Sequence, residues 1–200
     1  MKLIYASASP FVRKVRVLTH EAGIADQVDL ISVATSPLAT AAEVRAANPV
    51  GKIPALIRPD GPAIYDSRVI CRYLDDKMDA GLYPQDELWE VLTLEATADG
   101  IMDAAVLMVY EGRLRPNHLI FDDWVEGQWS KVTGALDALN ERWMGMLNGP
   151  LNMGQIAVAC ALGYLDFRHG ARNWRDGRGA LDDWYAVFSE RDSMKATMPQ

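Results

Sequence analysis

The feature that most constrains this chain is an abrupt change of periodicity near residue 80. Before it, short β-like runs alternate with helical ones: "KLIYA", a helix from Pro10 to about Ala22, "VDLISV", a loose helical turn in "TAAEVRAA", then "IPALI" and "PAIY", and a helix from Ser67 to about Met78. The order is β-α-β-α-β-β-α. Two consecutive β-α steps favour parallel strands, whereas the short "RPDG" connection forces the last two strands into an antiparallel hairpin. The expectation is a mixed four-stranded sheet with helices over residues 1–78.

Beyond "DAGLYPQD", residues 79–86, which reads as a linker, strand signals vanish. Residues 87–112 are helix-like throughout. A second long segment repeats Val125, Trp129, Val132, Leu136, Leu139 and Trp143 at three- and four-residue spacing, the pattern of a core-facing stripe. In "LNMGQIAVACALGYLDF", Asn152 stands three residues before Gln155, which suits a reciprocal N-terminal cap on a buried helix. The sequence therefore predicts an α/β domain over 1–78, a linker over 79–86 and an all-α domain over 87–200. Half of the 200 residues are hydrophobic, enough for two small cores.

Charge and composition exclude several classes. A net charge of −7 argues against nucleic acid, which demands a concentrated basic patch. The one dense basic group, Arg13, Lys14 and Arg16, reads as the solvated face of the first helix. No apolar run has the length of a membrane span and the N-terminus lacks an export signal, so a cytoplasmic protein without a membrane partner is expected. Cys71 and Cys160 belong to no C-x-x-C pair, and His20, His118 and His169 show no ligand spacing, so no metal is expected.

Three local features of the first eighty residues carry chemistry together. Ser9-Pro10 places a hydroxyl at a strand-to-helix corner, where Pro suits the first helical position and the free N–H groups attract electron-rich atoms. In "GKIPAL", Pro54 stands where a strand should begin; a cis Ile53–Pro54 bond would turn the Ile53 backbone outward, ready to pair with an extended peptide-like ligand. Asp66-Ser67 opens a helix. Capping explains that pair by itself, but a hydroxyl and free N–H groups at a helix start also hold a carboxylate, and Asp66 would pair with an ammonium. A free α-amino-acid end fits both.

The succession "S-P-F-V-R-K-V", "N-P-V-G-K-I-P-A-L", "D-S-R-V-I-C-R-Y-L", continued by "LEATADGIMDA", "IAVACALGYLDFR" and "SMKATMP", resembles the soluble glutathione S-transferase superfamily, and most of all its bacterial serine-type members. The resemblance implies a thioredoxin-like N-terminal domain binding glutathione as co-substrate, and a helical domain that receives the electrophile. It assigns Ser9, with Ser7 as the competing hydroxyl, to the glutathione thiol. Ile53 beside cis-Pro54 falls to the cysteinyl backbone, Lys52 to the glycyl end, and Asp66 and Ser67 to the γ-glutamyl end. A hydroxyl donor and a helix N-terminus both favour the thiolate over the thiol.

The implied reaction is an alkyl or aryl transfer, in which the thiolate attacks a small hydrophobic electrophile, with Met102, Ala105 and Met108 as candidates for the acceptor pocket. The corner lacks the Cys of the relatives that form mixed disulfides. The alternatives are a glutathione-binding or regulatory protein with little turnover, or a glutathione-dependent disulfide or peroxide reductase. The resemblance also implies a homodimer.

Overall fold

The computed structural model describes all 200 residues, which divide into two compact units: Met1–Asp86 together with Arg191–Gln200, and Glu87–Glu190. The final ten residues thus join the first unit, whereas the sequence pattern had run the helical domain to residue 200.

In the first unit, β1 (Lys2–Tyr5) is the central strand of a three-stranded sheet. It pairs in parallel with β2 (Asp29–Ser32) and antiparallel with β3 (Ala55–Ile57), giving the order β2-β1-β3. Leu3 and Ile4 of β1 are wholly buried, as a strand paired on both edges requires. The helices are α1 (Pro10–Glu21), α2 (Ala42–Ala47), α3 (Ser67–Met78) and, in the final segment, a short helix over Asp192–Ala196. The expected fourth strand is a correction. The chain does return after "RPDG", but it pairs only at Leu56 and Ile64, whose N–H groups donate to each other's carbonyls at 2.9 and 3.0 Å. Pro62 has no N–H to give a ladder, and two residues beyond Ile64 the chain already caps α3, so no strand has room to develop.

The basic group of α1 is a second correction. Arg13 and Lys14 are buried, 6 % and 0 % exposed. The C-terminal segment lies along this helix: the Arg13 guanidinium donates to the Met194 carbonyl at 3.0 Å, and Arg16 donates to that of Ala196 at 3.3 Å. Arg191 grips the Glu21 carboxylate with two bonds of 2.8 and 2.7 Å, and the Ser193 hydroxyl donates to the same carboxylate. These bonds are the reason residues 191–200 belong with the first unit.

The second unit is helical: α4 (Leu88–Leu114), α5 (Asp122–Arg142), the single turn α6 (Met144–Leu147), α7 (Met153–His169) and α8 (Gly179–Phe188). In α5 the stripe buries Val132, Leu136 and Leu139. The cap of α7 is reciprocal as expected. The Gln155 N–H donates to Asn152 Oδ1 at 3.1 Å and the Asn152 N–H to Gln155 Oε1 at 3.3 Å. The Gln155 amide also donates to the carbonyls of Met146, Gly149 and Pro150, which ties the preceding loop to the helix start. No helix is long and apolar enough to cross a membrane.

Candidate functional site

Strand register brings the three sequence features to one end of the sheet. β1 runs toward the Ser7–Ser9 corner, and its residue Ile4 faces Ala55, the first residue of β3. Ile53 and Pro54, just before Ala55, therefore lie beside the end of β1. The returning segment pairs Ile64 with Leu56, so continuing it by two residues sets Asp66 and Ser67 alongside Pro54. Three stretches distant in sequence thus meet because β1 lies next to β3 and β3 next to the return.

At the corner, Ser9 is the N-cap of α1 with extended backbone (φ −81°, ψ 121°), and Pro10 is the first helical residue. The Ser9 Oγ accepts the Val12 N–H at 3.4 Å, a long bond that uses a lone pair and leaves the hydroxyl proton free to be donated. Ser7 is committed differently: its hydroxyl donates to the carbonyl of Gln200 at 3.4 Å.

The Ile53–Pro54 bond is cis, as expected from the sequence; the Tyr65–Asp66 bond is cis as well. Pro54 is buried, and the Ile53 side chain packs against the cluster of Ile4, Val44 and Ala55. The N–H and C=O of Ile53 have no partner within the chain, so the backbone beside Pro54 presents one donor and one acceptor. The Lys52 side chain is exposed, while its carbonyl accepts from the amide of Asn48 at 2.8 Å. Asn48, which holds this carbonyl, is not singled out by the sequence reading.

Asp66 caps α3. Its carboxylate accepts the Arg68 N–H at 3.1 Å and pairs with the Arg68 guanidinium at 3.0 Å. Partial burial pushes this carboxyl up, but the bonds and charge of Arg68 together with the helix N–H groups outweigh it and hold it below the usual carboxylate range. Ser67, 2 % exposed, is the first residue of the helix, and its hydroxyl makes no hydrogen bond within the protein.

Met102, Ala105 and Met108 lie on α4 in the helical unit. Met102 and Ala105 have no accessible surface and Met108 retains 6 %. The Ala105 carbonyl is 2.9 Å from Nε2 of His169. No group of three or more His, Cys, Asp or Glu side chains is arranged to hold a metal.

The fold and this end of the sheet define a class, and comparison with known proteins agrees. Residues 8–77 match the family model "Glutathione S-transferase, N-terminal domain" and residues 122–186 match "Glutathione S-transferase, C-terminal domain". The chain belongs to the glutathione S-transferase family. It is 33 % identical over 204 residues to the uncharacterized GST-like protein YibF of Escherichia coli (strain K12), covering 100 % of this chain and 98 % of that protein. A glutathione transferase family member from Pseudomonas fluorescens Pf-5, solved with bound glutathione, superposes with a TM-score of 0.97 at 45 % identity, covering 100 % and 98 % of the two chains. A Pseudomonas fluorescens Pf-5 family member with bound S-(propanoic acid)-glutathione gives 0.92 at 44 % identity over the whole of both chains.

Proposed function

We propose that this protein binds glutathione at the end of the sheet formed by Ser9, Ile53–Pro54 and Asp66–Ser67, and activates its thiol for attack on a small hydrophobic electrophile. The observation that carries this reading is the set of unspent groups there: the Ser9 hydroxyl proton, both backbone groups of Ile53, and the Ser67 hydroxyl with no protein partner. They match a tripeptide thiol in order. Asp66 takes the γ-glutamyl ammonium and Ser67, with the start of α3, its carboxylate. Ile53 pairs with the cysteinyl backbone, Lys52 approaches the glycyl carboxylate, and Ser9 meets the sulfur.

Ser9 keeps its own proton and donates it as a hydrogen bond, which with the N-terminus of α1 favours the thiolate. With an aryl halide, the sulfur lone pair forms the C–S bond, the C–halogen bond breaks, and halide leaves with its electron pair; the thiol proton has already passed to solvent. Ser9 ranks ahead of Ser7 because Ser7 already donates to a carbonyl. Of the α4 candidates, only Met108 retains accessible surface, 6 %, and would offer a soft thioether to an electrophile; Met102 and Ala105 retain none. The reading includes a cytoplasmic location, in a compartment with a glutathione pool. It also includes a homodimer, so sedimentation should give about twice 22.1 kDa.

Calorimetric titration with glutathione, followed by a panel of aryl halides, peroxides and mixed disulfides, tests the proposal. Saturable binding with conjugation of an aryl halide is expected. Binding without turnover would make it a glutathione-binding protein, and turnover of disulfides or peroxides alone would make it a reductase.

A further inference from the structure

Asn48, 2 % exposed, closes α2 and sits four residues before Lys52. Its own N–H continues the helix to the Val44 carbonyl at 2.8 Å. Its side-chain Oδ1 accepts the Val50 N–H at 2.9 Å, and its Nδ2 donates to the Lys52 carbonyl at 2.8 Å. Its carbonyl takes the Gly51 N–H at 2.9 Å. Gly51 has φ +72°, and a Cβ there would stand 3.3 Å from Thr40 Cγ2, so the turn depends on glycine as well as on the amide. One buried side chain therefore spans the turn and holds the carbonyl of the residue just before Ile53.

The other side of the same short segment is fixed by packing. The Ile53 side chain lies against Val44, Ile4 and Ala55, and Pro54 is buried. With the Lys52 carbonyl held by Asn48 and the Ile53 side chain held by the core, the intervening peptide has little freedom, while the N–H and C=O of Ile53 are left without a protein partner. A backbone held in its binding orientation before the ligand arrives loses little entropy on binding.

We propose that Asn48 is a positioning residue for glutathione: its side-chain amide fixes the Lys52 carbonyl so that the Ile53 backbone is set in advance to pair with the cysteinyl unit of the tripeptide. This rests on the glutathione site proposed above, deepens it, and assigns a role to a residue that touches no ligand. Asn48 acts through Ile53, so its removal should weaken the cysteinyl contact selectively and leave the thiol-activating corner alone.

The test is a cycle between a protein variant and a ligand variant. The ligand variant is a depsipeptide analogue of glutathione with an ester oxygen in place of the cysteinyl N–H, which cannot donate to Ile53. The protein variant is Asn48→Asp, which keeps the acceptor for Val50 but sets a carboxylate oxygen against the Lys52 carbonyl. Wild-type protein should bind glutathione about tenfold more tightly than the analogue. Asn48→Asp should weaken glutathione binding by about tenfold, change analogue binding by less than about twofold, and leave the pKa of the bound thiol unmoved. Equal losses for both ligands would mean that Asn48 merely supports the fold and would overturn the proposal, as would no loss for either. Wild-type protein that binds both ligands equally, or neither, would instead remove the site reading on which the proposal stands.

Should the variant not fold, hydrogen exchange on the wild-type protein decides. The Asn48 Nδ2 protons are expected to be protected already in the free protein, and the Ile53 N–H to become protected only with glutathione. Side-chain protons of Asn48 that gain protection only when glutathione binds would overturn the proposal.

Discussion

Helices α1 and α3 invite comparison because they are built alike and used differently. Each has twelve residues, each begins with a side-chain cap, and each ends in a residue with left-handed backbone just beyond the last turn. The cap of α1 is a neutral hydroxyl on a long bond, with no acidic residue in the first turn. The cap of α3 is a carboxylate on a shorter bond, reinforced by Arg68. In the proposed complex a neutral cap would leave the positive end of α1 for a thiolate, which needs stabilisation as an anion. The charged cap at α3 would spend part of that field and, in the same proposed complex, supply a partner for the ammonium. Two helix starts at one end of a sheet would thereby offer the proposed tripeptide ligand two different electrostatic environments.

Exchanging the work of the two starts is the strongest way to break this comparison. Ser67→Ala removes a hydroxyl bonded to a carboxylate in the proposed complex, a charge-assisted bond that typically contributes about 1.5 to 3 kcal/mol. Glutathione affinity measured by calorimetry should fall roughly ten- to a hundredfold, with the bound thiol pKa little changed. Ser9→Ala should act in reverse. Affinity at low pH is retained, while the bound thiol pKa, followed by thiolate absorbance, rises by about one unit, or about 1.4 kcal/mol of lost preference for the anion. If Ser7→Ala raises that pKa and Ser9→Ala does not, the roles of the two serines are exchanged. If both leave it unmoved, α1 activates nothing through a hydroxyl.

What the sequence disclosed about these helices follows from how local the information was. Ser9-Pro10, Ile53-Pro54 and Asp66-Ser67 each announce themselves within three residues, through capping and proline chemistry, and register then assembles them. The burial of Arg13 and Lys14 was illegible for the opposite reason. Periodicity separates the polar face of α1 from the apolar one, but the segment that covers the polar face comes from residues 191–200, so far along the chain that no local pattern refers to it. The four-strand expectation failed because "PAIY" has β propensity while its ladder is limited by Pro62 and by the early start of α3. Asn48 was hidden because an Asn before Pro reads simply as a turn. Its burial and its bond to Lys52 depend on the packed end of α2.

The charges of the two caps give a smaller, pH-dependent contrast. The Asp66 carboxyl is held below its ordinary value, so the stability it contributes is fully present above the unfolded-state pKa and is lost as pH falls through the lower folded value. The Ser9 cap does not titrate. Acidification below the ordinary carboxylate range should therefore shift the amide resonances of Arg68 and Val69 at the start of α3 while leaving that of Val12 at the start of α1 in place. Equal shifts at both helix starts would show that acid loosens the unit as a whole, and the contrast between the caps would fail.

The helix ends carry the finest version of the comparison. Beyond α1, Gly23 has φ +67°; its N–H donates to the His20 carbonyl at 3.1 Å, and the Ile24 N–H reaches back to Thr19 at 2.9 Å. Beyond α3, Asp79 has φ +50°; its N–H faces the Asp76 carbonyl at 3.5 Å, and the Ala80 N–H donates to Asp75 at 3.1 Å. The bonding pattern is the same, closing the last turn with two backward bonds, but only at α1 does a glycine occupy the left-handed position. At α3 a Cβ stands in that conformation, which L-residues adopt at a cost. Gly23→Ala should destabilise the protein by about 1 kcal/mol, even though a Cβ there meets nothing within 4 Å, because the penalty lies in the backbone and not in a clash. Asp79→Gly should stabilise it by about 0.5 to 1 kcal/mol, the relief of left-handed strain exceeding the entropy glycine adds to the unfolded chain. Denaturant midpoints at constant m-value measure both. A stabilising Gly23→Ala, or a destabilising Asp79→Gly, would mean that side-chain interactions and not backbone strain govern these two ends.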